Sequence, residues 1–132
     1  GGYAAHAMEV TVADGKLTID RIVAAIDCGY AVHPNAVDAQ LQGGTIDGLS
    51  TALGLEITVK DGQVQQSNFH DYPLARIAAV PSLFETHILN WDDVPTGVGE
   101  IGLPSAAPAL TNAIFAASGQ RIRSLPISEQ IA

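Results

Sequence analysis

The first third of the sequence carries the pattern of a long β-hairpin, and this pattern restricts the fold more than any other feature. Apolar and polar residues alternate over 8–12 and again over 17–19, as they do in half-buried strands. The Asp-Gly pair at 14–15 between these runs is a favoured two-residue turn. The apolar phase then shifts for residues 22–26, which predicts a bulge near Arg21. The chain therefore has to build its structure around a bent pair of antiparallel strands.

Two helices are predicted downstream of the hairpin. Pro34 and Asn35 are start signals for the first helix. Its apolar stripe has roughly helical spacing and consists of Val37, Leu41, Leu49, Ala52 and Leu53. The second helix is predicted from Ser105 to Ser118, where Gly119 is a natural C-terminal cap.

Further strands are predicted between and after these helices. One lies near 56–60 and turns back through an Asp-Gly pair into an extended segment over 64–68. Another covers 84–88, and the alternating residues 121–127 could add one more. Because strands and helices are mixed without a regular βαβ repeat, the predicted fold class is α+β, with mixed strands, hairpins and two main helices.

The composition excludes several classes of function. The 132 residues include 6 basic and 14 acidic side chains, whereas a nucleic-acid-binding domain needs a basic surface. A single cysteine, Cys28, cannot form an internal disulfide. The histidines at positions 6, 33, 70 and 87 show no spacing typical of metal ligands. We therefore predict neither nucleic-acid binding nor a metal held by protein side chains.

The segment GVGEIGLP, residues 97–104, places Glu100 among three glycines in a long loop predicted over 90–105. A glycine cluster indicates an unusual backbone shape or the close approach of another group. Long loops in small domains are usually functional. One interpretation of Glu100 is a solvated carboxylate, favoured near a helix N-terminus by the helix dipole. The other is a general base beside a bound cofactor or substrate, for which the glycines leave room.

Gln40 precedes two glycines, Gly43 and Gly44, inside the first predicted helix. Each glycine costs up to about 1 kcal/mol there relative to alanine, so it needs a compensating reason. One possible reason is tight packing of protein against the helix. The other is a bulky ligand against the helix, with the Gln40 amide offering both a donor and an acceptor.

Cys28 and His33 form a further candidate pair, because a thiol and an imidazole can act as nucleophile and base. Their spacing is not diagnostic, and a lone cysteine is more often a small buried apolar residue. A small cysteine hydrolase is therefore retained only as a third hypothesis.

Several ordered segments resemble the molybdenum hydroxylases, the xanthine dehydrogenase family. GVGEIGLPSAAPALTNAIFAASGQRIRSLPI, residues 97–127, is similar to the C-terminal segment of the family's large subunit. DCGYAVHPNAVDAQLQGGTIDGLSTAL, residues 27–53, is similar to another stretch of the same domain. QSNFHDYPLARIAAVPSLFETHI, residues 66–88, looks most like the isoquinoline 1-oxidoreductase beta subunits and related bacterial aldehyde dehydrogenases. The resemblance covers residues 3–127.

This resemblance implies roles for particular residues. The family's catalytic glutamate falls on Glu100, which would act as general base in an oxidation that uses water as the oxygen source. The family's pterin-binding glutamine falls on Gln40, and Gly99 would lie beside the cofactor. That cofactor is molybdenum–molybdopterin, in bacteria commonly the cytosine dinucleotide form, and its dithiolene holds the metal. Implied substrates are N-heterocycles or aldehydes, and implied partners include an iron–sulfur electron-transfer subunit or domain.

The resemblance also implies that residues 1–132 are a single domain from the C-terminal part of a much longer molybdopterin-binding subunit. Gly1 stands where a natural start would have methionine, which fits this expectation. The chain alone is expected to bind no molybdenum and to be inactive, because so short a chain cannot enclose a large cofactor. Sheet edges normally covered by the rest of the subunit would be exposed, so the isolated chain could self-associate.

The main alternative comes from a different functional class. A non-catalytic α+β module for subunit assembly could use the same fold. In that case the alanine-rich surface of the second helix would matter, and Glu100 would not.

Overall fold

The computed structural model describes residues 1–89 and 91–131. In chain order the elements are β1 (Tyr3–Ala13), β2 (Lys16–Asp27), α1 (Pro34–Gly54), β3 (Val59–Lys60), β4 (Gln63–Val64), β5 (Leu83–Leu89) and α2 (Ala106–Ser118). Short 3-10 turns follow β4 at Ile77–Ala79 and α2 at Ser128–Gln130. The predicted α+β class and both predicted helices are confirmed.

The predicted hairpin lies in a sheet with the strand order β1-β2-β5. β1 and β2 are antiparallel, and both residues of the turn at 14–15 have positive φ, as the turn type requires. The pairing shifts by one residue between Glu9 and Val10, which makes Asp20 the extra residue of the bulge predicted near Arg21. β5 runs parallel to β2, and α1 lies in the crossover between them.

Both helices pack on the same face of this sheet. The even-numbered, inward side chains of β1 pack with α2 around the buried Leu110 and Ile114. A second apolar cluster joins Ile26 of β2 to Leu41 of α1, and Ile101 of the long loop packs against it. The segment around Glu100 is therefore attached to the core rather than detached from it.

Two strand predictions need correction. β3 and β4 are only two residues long each, because the segment pairs only with itself and its side chains are exposed. The strand suggested over 121–127 is wrong. Burial alternates only over 121–123, where Ile122 is buried between the exposed Arg121 and Arg123; residues 123–125 are all exposed and 126–127 are both buried. The backbone, however, bonds to the end of α1, where the N–H of Ile127 donates to the carbonyl oxygen of Ala52 at 2.9 Å.

Candidate active site

A cleft of about 360 Å³ lies between α1 and the loop that precedes α2. It is lined by Gly43, Gly44 and Asp47 of the helix and by Gly99, Glu100, Leu103 and Pro104 of the loop. Two glycine-containing motifs that are far apart in the sequence therefore face each other. The long loop is confirmed over 91–105, while Asn90, which the sequence also assigns to it, lies outside the described residues.

Close backbone packing holds the loop against α1. A Cβ built on Gly48 would lie 2.6 Å from the carbonyl oxygen of Leu103. A Cβ on Gly102 would lie 2.8 Å from the carbonyl oxygen of Leu41. Gly44 makes a looser contact, since its Cβ would lie 3.6 Å from the nitrogen of Leu103. Gly48, which no sequence signal distinguished, is therefore the helix glycine that tight packing requires.

The other end of the loop is held by the segment that follows β2. The N–H of Tyr30 donates to the carbonyl oxygen of Asp93 at 3.0 Å. The N–H of Thr96 donates to the carbonyl oxygen of Cys28 at 2.9 Å. The loop is thus hydrogen-bonded to the segment after β2 on the N-terminal side of Glu100 and packed on α1 on the C-terminal side.

Glu100 is exposed on the wall of the cleft. It lies in a turn closed by a 3.1 Å hydrogen bond from the N–H of Leu103 to the carbonyl oxygen of Glu100. Within residues 1–89 and 91–131, no group forms a hydrogen bond or ion pair with its carboxylate. Exposure agrees with the surface-carboxylate interpretation, but the cleft beside it also leaves the carboxylate free to accept a proton from a bound group.

Gln40 lies on α1 one turn before Gly44, at the rim of the cleft and outside the residues that line it. A Cβ built on Gly99 would lie 3.7 Å from Nε2 of Gln40, so the three predicted site residues Gln40, Gly99 and Glu100 are brought together. Among the described residues the Gln40 amide has no hydrogen-bond partner, whereas its neighbour Gln42 donates to Asp38 at 2.8 Å. Within the described part of the chain, the donor and the acceptor of Gln40 therefore both remain available beside Gly99.

The described residues do not explain by packing why a glycine stands at position 43. No atom of that part of the chain comes within 4 Å of a Cβ built on Gly43. An exposed helical position with free space would favour alanine by up to about 1 kcal/mol. A Cβ on Gly44 would make only ordinary van der Waals contacts with the loop, so packing requires glycine at neither position, and Gly43 leaves bare helix backbone on the cleft wall.

His6 is a site residue that sequence spacing did not reveal. It is the polar residue on the otherwise apolar inward face of β1, which also carries Ala4, Met8, Val10 and Val12. Its Nδ1 lies 2.9 Å from Oγ of Ser105, and its Nε2 lies 2.7 Å from Oγ1 of Thr45. Burial lowers the pKa of His6, so the neutral ring is favoured. A histidine in the apolar phase of an alternating strand is the signal that could have identified it.

This burial predicts a pH dependence of stability. His6 is protonated more readily in the unfolded chain, where the pKa is near 6.5, than in the folded chain, where it is lower. Its contribution to stability is therefore complete above about pH 6.5 and is lost as the pH falls through the folded-state pKa. We expect the free energy of unfolding, measured with urea, to fall less between pH 7.5 and pH 5.5 in His6→Gln than in the wild type. The control His87→Gln changes an exposed histidine, and its free energy of unfolding should fall as much as that of the wild type. An equal fall in all three proteins would contradict the prediction.

The other candidate features do not assemble into a site. Cys28 is buried in an apolar cluster, and His33 caps α1 by accepting a hydrogen bond at Nδ1 from the N–H of Ala36. No hydrogen bond joins this thiol to that imidazole in the described residues, so the cysteine hydrolase finds no support. Those residues also contain no group of acidic, histidine or cysteine side chains that could hold a metal. A larger cleft of about 530 Å³ between β2 and residues 78–82 contains none of the predicted site residues.

The chain is similar in sequence to a described protein family. The family described as the molybdopterin cofactor-binding domain matches residues 2–81, which is more than half of the chain. The chain belongs to this family. In this molybdopterin cofactor-binding domain, the matched residues include the hairpin, α1, Gln40 and the glycines at 43 and 44.

Individual relatives extend the similarity beyond that match. The beta subunit of isoquinoline 1-oxidoreductase from Brevundimonas diminuta is 40% identical over 119 residues, which cover 90% of this chain and 15% of the relative. A probable xanthine dehydrogenase component from Bacillus subtilis is 34% identical over 133 aligned positions, 98% of this chain and 18% of the relative. The structure of aldehyde oxidoreductase from Desulfovibrio gigas superposes with a TM-score of 0.84 at 28% identity, over 98% of this chain and 15% of that one.

Two further facts describe this molybdopterin cofactor-binding domain. It spans less than a fifth of the length of the relatives named above. Among its described residues, no helix combines the length and the apolar character needed to cross a bilayer.

Proposed function

We propose that this chain forms part of a molybdenum hydroxylase that oxidises N-heterocycles or aldehydes with water as the oxygen source. Glu100 is the general base of the reaction, and Gln40 and Gly99 contact the pterin. The observation that carries the proposal is the cleft lined by Gly43 and Glu100, with the Gln40 amide beside it near Gly99. Within the described residues, neither the Glu100 carboxylate nor the Gln40 amide has a hydrogen-bond partner.

The residues of the cleft fit a pterin-bound metal. The cofactor brings its own metal ligands, which suits a chain whose described residues offer no metal-binding cluster. A pterin presents carbonyl oxygens and ring nitrogens that accept hydrogen bonds, and ring N–H groups that donate them. The Gln40 amide can donate to an acceptor through its NH2 group and accept from an N–H through its oxygen. The missing side chains at Gly43 and Gly99 leave room for a flat group to approach the helix and loop backbone. The volume of about 360 Å³ is within the range of small-molecule sites.

The chain's own residues then have distinct tasks. When bound, the molybdenum cofactor supplies the two-electron oxidation of the substrate. Glu100 accepts the proton of the water-derived nucleophile at a carboxylate oxygen, which raises the nucleophile's reactivity. Gln40 orients the pterin from the rim, and Gly99 lets it approach the loop. The packing of Gly48 on Leu103 and of Gly102 on Leu41 fixes where the Glu100 turn lies relative to Gln40.

The remaining details of the proposal concern the whole enzyme. Residues 1–132 act as one domain of a longer subunit, which binds the cytosine dinucleotide form of the cofactor. Electrons leave through an iron–sulfur subunit or domain. The cleft is open and small relative to a dinucleotide cofactor, so the isolated chain holds no molybdenum and does not turn over.

The function is tested by comparing the full-length holoenzyme with the 132-residue chain. The holoenzyme should contain molybdenum, reduce an artificial dye with an N-heterocycle or an aldehyde, and place the oxygen of isotopically labelled water in the product. The isolated chain should show neither metal nor turnover. Product oxygen that comes from molecular oxygen would refute the reaction type, and stoichiometric molybdenum with turnover in the short chain would refute the need for the rest of the subunit.

A further inference from the structure

The hydrogen bonds of His6 connect three elements that surround the cleft. His6 belongs to β1, and its ring lies between α1 and the start of α2. Thr45 directly follows the cleft residue Gly44, and Ser105 directly follows the cleft residue Pro104. One ring therefore joins both walls of the cleft to the central hairpin.

The positions of the protons follow from the partners. The Thr45 hydroxyl donates its only hydrogen to the carbonyl oxygen of Leu41 at 2.7 Å, so it can only accept from His6. Nε2 of His6 must then carry the hydrogen, because it is the atom that faces Thr45 at 2.7 Å. In the neutral ring Nδ1 is an acceptor, and the Ser105 hydroxyl donates to it at 2.9 Å. The chain of donors runs from Ser105 through His6 and Thr45 to Leu41.

Ser105 shows that this network takes precedence over local structure. Serine at the residue before a helix usually accepts a hydrogen bond from an N–H of the first turn. Ser105 precedes α2 but makes no such side-chain cap, and its hydroxyl bonds to His6 instead. The network also ends on the carbonyl oxygen of Leu41, the atom against which Gly102 packs. It therefore reaches the Glu100 turn from two sides.

We propose that His6 is a positioning residue: it holds the turn of residues 100–104 in register with α1 and so sets where the Glu100 carboxylate stands in the cleft. Its effect on the reaction rests on the proposed function, because it acts through Glu100. Its effect on the position of the loop does not rest on the proposed function. The effect on the loop and the effect on the reaction can therefore be tested separately.

The test uses the full-length holoenzyme with three variants. His6→Leu removes both hydrogen bonds, His6→Gln keeps one donor and one acceptor, and His87→Leu changes an exposed histidine as a control. Hydrogen–deuterium exchange of the peptide covering 97–106 should be faster by roughly tenfold or more in His6→Leu, as expected for the net loss of two hydrogen bonds. The kcat per bound molybdenum should fall roughly tenfold to a hundredfold with KM unchanged, because small misplacement of a reacting group is costly. His6→Gln should restore most of the slow exchange and most of the kcat. His87→Leu should match the wild type in both measurements.

The outcomes separate this inference from the proposed function. Unchanged exchange in His6→Leu, or faster exchange with unchanged kcat per molybdenum, overturns the positioning role. Full turnover of Glu100→Gln in the same assay overturns the general-base proposal, while the exchange result still decides whether His6 holds the turn. If His6→Leu does not fold, Ser105→Ala removes only the bond to Nδ1 and should give a smaller acceleration of exchange in the same peptide. Wild-type exchange in Ser105→Ala then overturns the proposal.

Discussion

Glu100→Gln is expected to lower the turnover of the full-length enzyme by about 10²- to 10⁴-fold while leaving its molybdenum content near that of the wild type. Glutamine keeps the size of the side chain but cannot accept the proton. The side chain makes no hydrogen bond within the described residues, so the substitution removes no interaction that holds the loop. The measurement is kcat per bound molybdenum, together with metal analysis of the purified variant.

A matched control is available in Glu56→Gln, at an exposed glutamate that does not line the cleft. It should turn over like the wild type. The assembly-module hypothesis expects Glu100→Gln to be as silent as Glu56→Gln, so retained turnover in both variants would favour that hypothesis. Loss of molybdenum in Glu100→Gln would instead assign this residue to cofactor binding and not to proton transfer.

Gly48→Ala and Gly43→Ala are expected to have opposite effects, although both replace a glycine of α1. The new Cβ at position 48 would lie 2.6 Å from the carbonyl oxygen of Leu103, so the loop has to move, at a cost of about 1–3 kcal/mol. The new Cβ at position 43 meets no described atom, so the helix should gain up to about 1 kcal/mol. Urea unfolding of the two variants beside the wild type measures both changes.

The same two variants also test whether a cofactor occupies the cleft and whether α1 holds the loop. In the full-length subunit, Gly43→Ala should lower the molybdenum content even though it stabilises the helix, because the added methyl group occupies the space proposed for the cofactor. A Gly43→Ala subunit with full molybdenum content would show that no cofactor approaches this position. A Gly48→Ala chain as stable as the wild type would show that the loop is not held by this contact.

Much of the fold could be predicted because its signals are local. Alternation over 8–12 and 17–19, the turn at 14–15 and the change of phase near Arg21 predicted the hairpin and its bulge. Pro34 and Gly119 marked one end of each helix. The suggested final strand is wrong because burial alternates only over 121–123 and because the backbone of Ile127 bonds to α1 and not to a strand.

The candidate site was only partly visible in the sequence. Glu100 and Gln40 were singled out beside glycine clusters, and the resemblance added Gly99 and the roles of all three. Their proximity became evident only when α1 and the loop were seen to pack together. Gly43 and Gly44 looked equivalent, yet Gly44 faces a loop backbone and Gly43 faces open space. Gly48 and His6 were missed, because what defines each of them is a contact with residues that are distant in the chain and belong to another element.

The sequence by itself determined the α+β class, the hairpin, the two helices and the family, since these depend on periodicity, turn chemistry and ordered motifs. Only the tertiary structure decided which glycines pack and which lie bare, and that one half-buried histidine joins both walls of the cleft. The reason is physical: propensity and alternation act between neighbours in the chain, whereas the cleft is lined by residues of 43–47 and 99–104. These residues, and the His6 hydrogen bonds to Thr45 and Ser105, come together only after the sheet and helices have packed.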